Sequence, residues 1–143
     1  MLCVDVNVLV YAHRPESPRH DGYRSWLEEA RRGVEPLGIP EMVQSGFVRV
    51  VTHPRVFKEP TPLDTALKFV EAVRGSPATV PIAPGERHWG IFTDLCRQLD
   101  ARGNRVPDAF LAAMAIEQGA TFVSADRGFA GYPGLRWIDP LAT

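Results

Sequence analysis

The chain has 143 residues, 45% of them hydrophobic and 23% charged, with a mean hydropathy of −0.12, the profile of one globular domain with a sizeable core. A formal net charge of −1 and a pI near 6.4 exclude the global basic excess of a protein that coats nucleic acid, so any such contact must be a local patch. Two cysteines, Cys3 and Cys96, read as small hydrophobes in a reducing compartment, and no apolar run reaches membrane-spanning length, so a cytoplasmic location is expected.

Leu2, Cys3, Val4 and Val6 make a short β-branched run suited to a strand buried on both faces, and Asp5 interrupts it. A charge taken out of water costs several kcal/mol unless it is paired or bound to a metal. Asn7 is placed to cap a helix carrying Val8, Leu9, Tyr11 and Ala12, which puts Asp5 at a strand's carboxyl end. Arg14 to Pro18 reads as a loop, and Tyr23, Trp26, Leu27 and Ala30 then recur at helical spacing until Gly33. Leu37 to Ile39 is a brief strand. Pro40 opens a helix that ends near His53-Pro54, and Pro54 to Pro62 reads as an ordered loop.

Pro62 opens a further helix with Leu63, Ala66, Leu67, Val70 and Val73 on one face and Gly75 as its stop. Thr79 to Ile82 reads as a strand. Gly85 to Arg102 places Trp89, Phe92, Leu95, Cys96 and Leu99 on one apolar stripe. After Gly103-Asn104, Pro107 opens the helix DAFLAAMAIEQG, and Thr121 to Ser124 forms a buried strand that leads to Asp126. Leu135 to Ile138 supplies a closing strand. Alternating strands and helices of these lengths define an α/β domain with a mainly parallel sheet and helices on both faces.

Asp5 and Asp126 end buried strands, while Glu41 and Asp108 follow the helix-opening prolines Pro40 and Pro107. Strand carboxyl ends and the amino ends of the following helices lie along one edge of such a sheet, so four acids from distant parts of the chain point at one place. Singly, an acid in a helix's first turn is explained by the helix dipole, worth roughly 0.3–1 kcal/mol. Four without a lysine among them raise one another's pKa values, and a divalent cation is the physical remedy. Oxygen ligands without a His/Cys cluster suit Mg²⁺ or Mn²⁺ over Zn²⁺, and such a site hydrolyses phosphodiesters by holding the phosphate and activating a water.

VDVN around Asp5, the helix-opening Glu41, PDAFLAAMA around Asp108 and VSADRGF around Asp126 occur in the order and at roughly the spacing of the PIN-domain nucleases, which the whole chain resembles. The stretches SPRHDGYRSWL and GFVRVVTHPRVF narrow the likeness to VapC-type toxins of bacterial toxin–antitoxin pairs. The resemblance implies a single PIN-like domain over 1–143, a three-layer α/β/α fold, and metal-dependent endoribonuclease cleavage of RNA. It also implies a VapB-like antitoxin that opposes the activity, and a homodimer. It makes Asp5, Glu41, Asp108 and Asp126 the catalytic, metal-binding carboxylates and Asn7 and Ser124 supports for Asp5 and Asp126. Of the four acids, Asp126 is the one expected to act through water or from behind the direct ligands.

In this reading Arg14, Arg49, Arg55, Arg105 and Arg127 lie near the acidic edge and are candidates to hold RNA phosphates. The four histidines are structural or contact RNA, Trp26, Trp89 and Phe92 belong to the core, and Trp137 fits either role. The alternative, a catalytically silent PIN-like module that binds RNA or protein, calls for a lost acid, and all four are present. A phosphoacceptor switch calls for a lysine at the acidic edge, where neither Lys58 nor Lys68 falls.

Overall fold

Strands of two or three residues, too short to hold a sheet by themselves, pair here because both faces of the sheet are covered. The computed structural model describes residues 1–142. Strand β1 (Leu2–Val4) is followed by helices α1 (Val6–His13) and α2 (His20–Arg32), β2 (Leu37–Gly38), and helices α3 (Glu41–Val51) and α4 (Leu63–Arg74). Then come β3 (Thr79–Val80), α5 (His88–Leu99), α6 (Arg105–Glu117), β4 (Thr121–Val123), a 3-10 turn over Arg127–Gly131, and β5 (Arg136–Ile138). All strand pairs are parallel, in the order β3-β2-β1-β4-β5.

That order dictates the layers. Successive right-handed crossovers from β1 to β2 to β3 place α1 to α4 on one face, and the return to β4 on the other side of β1 places α5 and α6 opposite. Packing agrees: α1 lies against α2 and α3, α3 against α4, and α5 against α6. Cys3, Val4, Phe122 and Val123 at the centre are fully buried, as are Leu37 of β2 and Phe47 of α3. Burial also pushes the Cys3 thiol up to about 12, so it packs as a neutral hydrophobe. No helix among the described residues is long and apolar enough to cross a membrane.

Several local expectations are corrected. Asp5, not Asn7, caps α1, its carboxylate accepting the Val6 N–H at 2.7 Å. Helix α6 begins at Arg105, two residues before Pro107; proline is tolerated there because the N–H groups of a first turn have no helical partner. Trp89 is 66% exposed, and the neighbouring His88 takes the core position, its Nε2 donating to the Phe110 carbonyl at 2.8 Å and its ring packing on the Phe110 ring at 4.3 Å. Because a carbonyl oxygen only accepts, that His88 nitrogen carries the proton. Leu63 and Leu67 of α4 face outward, leaving Ala66, Val70 and Val73 as its buried face.

The end of α6 shows how the chain is steered into β4. Gly119, at φ +64, adopts the left-handed conformation, with its N–H bonded to the Ile116 carbonyl and that of Ala120 to the Ala115 carbonyl. This Schellman closure delivers Thr121 directly into the sheet beside Leu2.

Candidate active site

The strand order reverses between β1 and β4, because the chain leaves β1 toward β2 and returns to β4 on the other side. The crevice outside the carboxyl ends at such a switch point is where open α/β sheets bind ligands. Val4 pairs with Val123, so the next residues, Asp5 and Ser124, stand side by side over that crevice.

Their side chains form one network. The Ser124 hydroxyl donates to Asp5 Oδ2 at 2.7 Å and accepts from Asn7 Nδ2 at 3.1 Å and from the Asp126 N–H at 3.0 Å. A hydroxyl has one proton and two lone pairs, so Ser124 is saturated, and since both of its other partners are donors its proton must point at Asp5. Asn7 is fixed in the same way: its Oδ1 accepts the Ala125 N–H at 3.1 Å while Nδ2 reaches Asp5 Oδ2 at 3.3 Å. The Trp137 indole donates to the Ser124 carbonyl at 3.0 Å, holding the crevice floor from β5. Asp126 Oδ1 accepts the Gly128 N–H at 2.8 Å.

Asp108 lies in the first turn of α6 and belongs to the same cluster by charge. Burial, followed by the charges of Asp5 and Asp126, raises its pKa to about 6, with Arg105 opposing. Burial likewise pushes Asp5 above its ordinary value, against the bonds from Ser124 and Val6 that favour its charge, and Asp126 raises it further. Tyr132 was not singled out from the sequence. It is buried, and its hydroxyl lies close enough to Arg105, Asp108 and Asp126 for all three to act on its pKa, which burial raises. Its sequence signal, a lone Tyr between two glycines in AGYPG, is indistinguishable from that of a turn.

The structure therefore brings Asp5, Asp108 and Asp126 together, with Asn7 and Ser124 beneath them. Glu41 stands apart from these three in this structure. It opens α3 beside the same edge, yet its exposed side chain turns to Arg74, with Oε2 3.7 Å from the guanidinium. Arg105 and Arg127 flank the acids, Arg127 directly following Asp126. Arg14, Arg49 and Arg55 do not lie with them. Arg14 is about 12 Å along α1 from Asp5, where it bonds Thr61 at 3.1 Å and covers the Phe57 ring at 4.1 Å. Arg49 sits in the last turn of α3 and Arg55 beyond it.

The donor set fits a hard divalent cation. It consists of oxygens alone, and neither Asp108 nor Asp126 Oδ2 accepts a hydrogen bond from another described residue. No three His, Cys, Asp or Glu side chains among the described residues form a ready-made cage. Mg²⁺ does not require one, since it is bound through one or two carboxylates and keeps several waters.

A parallel sheet in this strand order, with carboxylates at its switch point, defines a PIN domain, and the chain belongs to that family, whose model matches residues 2–135. Within it, the chain is 53% identical over 141 residues to Ribonuclease VapC43 of Mycobacterium tuberculosis, covering 99% of this chain and 96% of the relative. Ribonuclease VapC25 of the same organism is 40% identical over 140 residues, covering 98% and 99%. Among solved structures, VapBC2 from Rickettsia felis, bound to a DNA fragment from its promoter, superposes with a TM-score of 0.72 at 18% identity, covering 96% of each chain. Mycobacterium tuberculosis VapC20, described as a sarcin-ricin loop cleaving toxin, gives 0.64 at 16%, covering 95% of this chain and 99% of that one. At such identities the two structures speak to the fold alone.

Proposed function

We propose that this chain, as one PIN-like domain over 1–143, is a metal-dependent endoribonuclease and the toxin of a VapBC-like pair. The observation that carries the reading is the saturated Ser124 hydroxyl, which orients Asp5 and the Asp126 backbone together at the switch point. Its curated relatives bear the name ribonuclease VapC, which supports RNA as the substrate and a VapB-like antitoxin as the partner. A cytoplasmic location and a homodimer accompany the proposal.

Asp5 and Asp108 would hold Mg²⁺ or Mn²⁺, with Asp126 beside them. The cation would supply charge neutralisation at the scissile phosphate and lower the pKa of a water. The chain's own residues do the remaining work. Ser124 and Asn7 keep Asp5 Oδ2 in one orientation, so no rotamer search accompanies binding. Arg105 and Arg127 offer guanidinium groups to the flanking phosphates. Glu41 joins as the fourth carboxylate by rotating off Arg74, a small step because an exposed ion pair is worth roughly 0–1 kcal/mol.

Incubating the purified protein with total host RNA and either cation, then sequencing the new ends, tests the reading. Discrete ends that disappear in Asp5→Asn and Asp108→Asn support it. Intact RNA with wild type and variants alike, under conditions where cation binding is measured directly, overturns it.

A further inference from the structure

Beside the acids, over the carboxyl ends of β2 and β3, lies a recess of about 340 Å³ that the reaction as described uses only through Glu41 at its rim. Its walls are Ile39, Pro81 and Ile82, and its polar side carries Glu41, Gln44 and Arg74. The volume falls at the small end of the roughly 300–1,000 Å³ range for pockets that hold small ligands, and the balance of apolar walls with a few convergent polar groups is the one such pockets show.

Two features set what it can take. The first is position: β2 adjoins β1, and β3 adjoins β2, so at the usual 4.7–4.9 Å strand spacing the recess is one to two strands from Asp5 along the same edge. A strand of RNA lying across the sheet edge with a phosphate at Asp5 sets a neighbouring base over it. The second is the state of Arg74. Its NH1 is tied to Gln44 Oε1 at 2.6 Å, a bond that stays in place when Glu41, 3.7 Å away, turns to the cation, while its Nε and NH2 donate to no other described residue. A planar guanidinium with two adjacent free donors matches the O6 and N7 acceptors of guanine, whereas adenine presents an amino donor at that edge.

We propose that this recess is a subsite for a guanine base within two nucleotides of the scissile phosphate, with Arg74 as the specificity-determining residue. The proposal rests on the endoribonuclease reading, and its test separates the two. An RNA pool randomised around its centre is cleaved in Mn²⁺ and the ends are sequenced. Wild type enriches guanine at one position within two nucleotides of the cut; Arg74→Ala and Arg74→Lys reduce that enrichment about tenfold or more, while enrichments at other positions persist. Comparing bases within one digestion cancels any general change in rate that follows from releasing Glu41. An unchanged pattern in both variants, or no guanine enrichment by wild type, overturns the subsite.

If wild type cleaves nothing, the nuclease reading fails and a second arm decides the subsite. Guanosine and adenosine monophosphates are titrated into the full chain while the backbone amide resonances of Gly38, Gln44, Val80 and Ile82 are followed. Shifts with the guanosine nucleotide that are absent in Arg74→Ala uphold the site. Equal responses to both nucleotides, or none, discard it.

Discussion

The Ser124 hydroxyl donates to Asp5 Oδ2 at 2.7 Å, joining residues 119 apart in the chain and placing the candidate active site under the control of a side chain that is fully buried. Ser124→Ala removes this donor, strands the Asp126 N–H and leaves Asn7 Nδ2 with Asp5 as its one partner. Unmet buried donors cost about 1–3 kcal/mol, and lost support for a metal-binding carboxylate costs about 10–100-fold. RNA cleavage by Ser124→Ala is therefore expected to fall by that factor, with a lower melting temperature in chelator, and Ser124→Thr, which keeps the hydroxyl, to recover most of the rate. Equal rates for wild type and Ser124→Ala would remove the serine from the mechanism.

Asp108 destabilises the cation-free fold. Its folded-state pKa of about 6 lies above the unfolded value of about 3.9, so its favourable contribution is complete below pH 4 and is lost as pH rises through 6. Discounted for its partial exposure, the loss is on the order of 1 kcal/mol at neutral pH. In EDTA at pH 7.5, Asp108→Asn should melt about 2–4 °C above wild type, and the gap should close near pH 4. Millimolar Mn²⁺ should raise the melting temperature of wild type and leave the variant almost unmoved. Calorimetry at the two pH values checks both parts.

Gly46 lets α3 approach the start of α1, since a Cβ there would sit 3.0 Å from Val6 Cγ2. Gly to Ala within a helix is normally worth about 0.5–1 kcal/mol in stability. Here that gain should be absent in Gly46→Ala alone and emerge once Val6→Ala makes room. Urea unfolding of the four proteins of the cycle measures the coupling, and strictly additive effects contradict the packing account.

Asp100 closes α5 in the left-handed conformation at φ 48, with the Ala101 N–H bonded to the Cys96 carbonyl. Glycine is the residue such a position favours. Asp100→Gly should stabilise the chain by about 0.5–1 kcal/mol without altering cleavage, because its Arg102 partner is a solvent-exposed pair. A denaturation midpoint at or below that of wild type rejects this.

The layer order and the three clustered acids were legible because their signals are local. Asp5 breaks a buried β-branched run, Asp126 follows another, and Asp108 opens a helix after a glycine break. What escaped depends on rotamers and on partners far along the chain. Glu41 occupies the expected helix start, but its carboxylate follows Arg74, 33 residues on. Trp89 satisfied the periodicity of α5 as well as His88 does, and the tie is broken by Phe110 of α6, which packs on the imidazole. Arg14 is expected near the acidic edge, whereas the eight residues of α1 carry it away from Asp5. The Trp137 bond to Ser124 requires β5 to pair with β4, a register that neither segment announces.

The pairing of β1 with β4 has a consequence for biosynthesis. Residues 2–4 are made well before their partners 121–123, so Asp5 waits for 119 further residues before Ser124 reaches it. At about 5–20 residues per second the delay is many seconds, during which the emerging chain has no assembled centre. A chain terminated ahead of Thr121 therefore never assembles this centre.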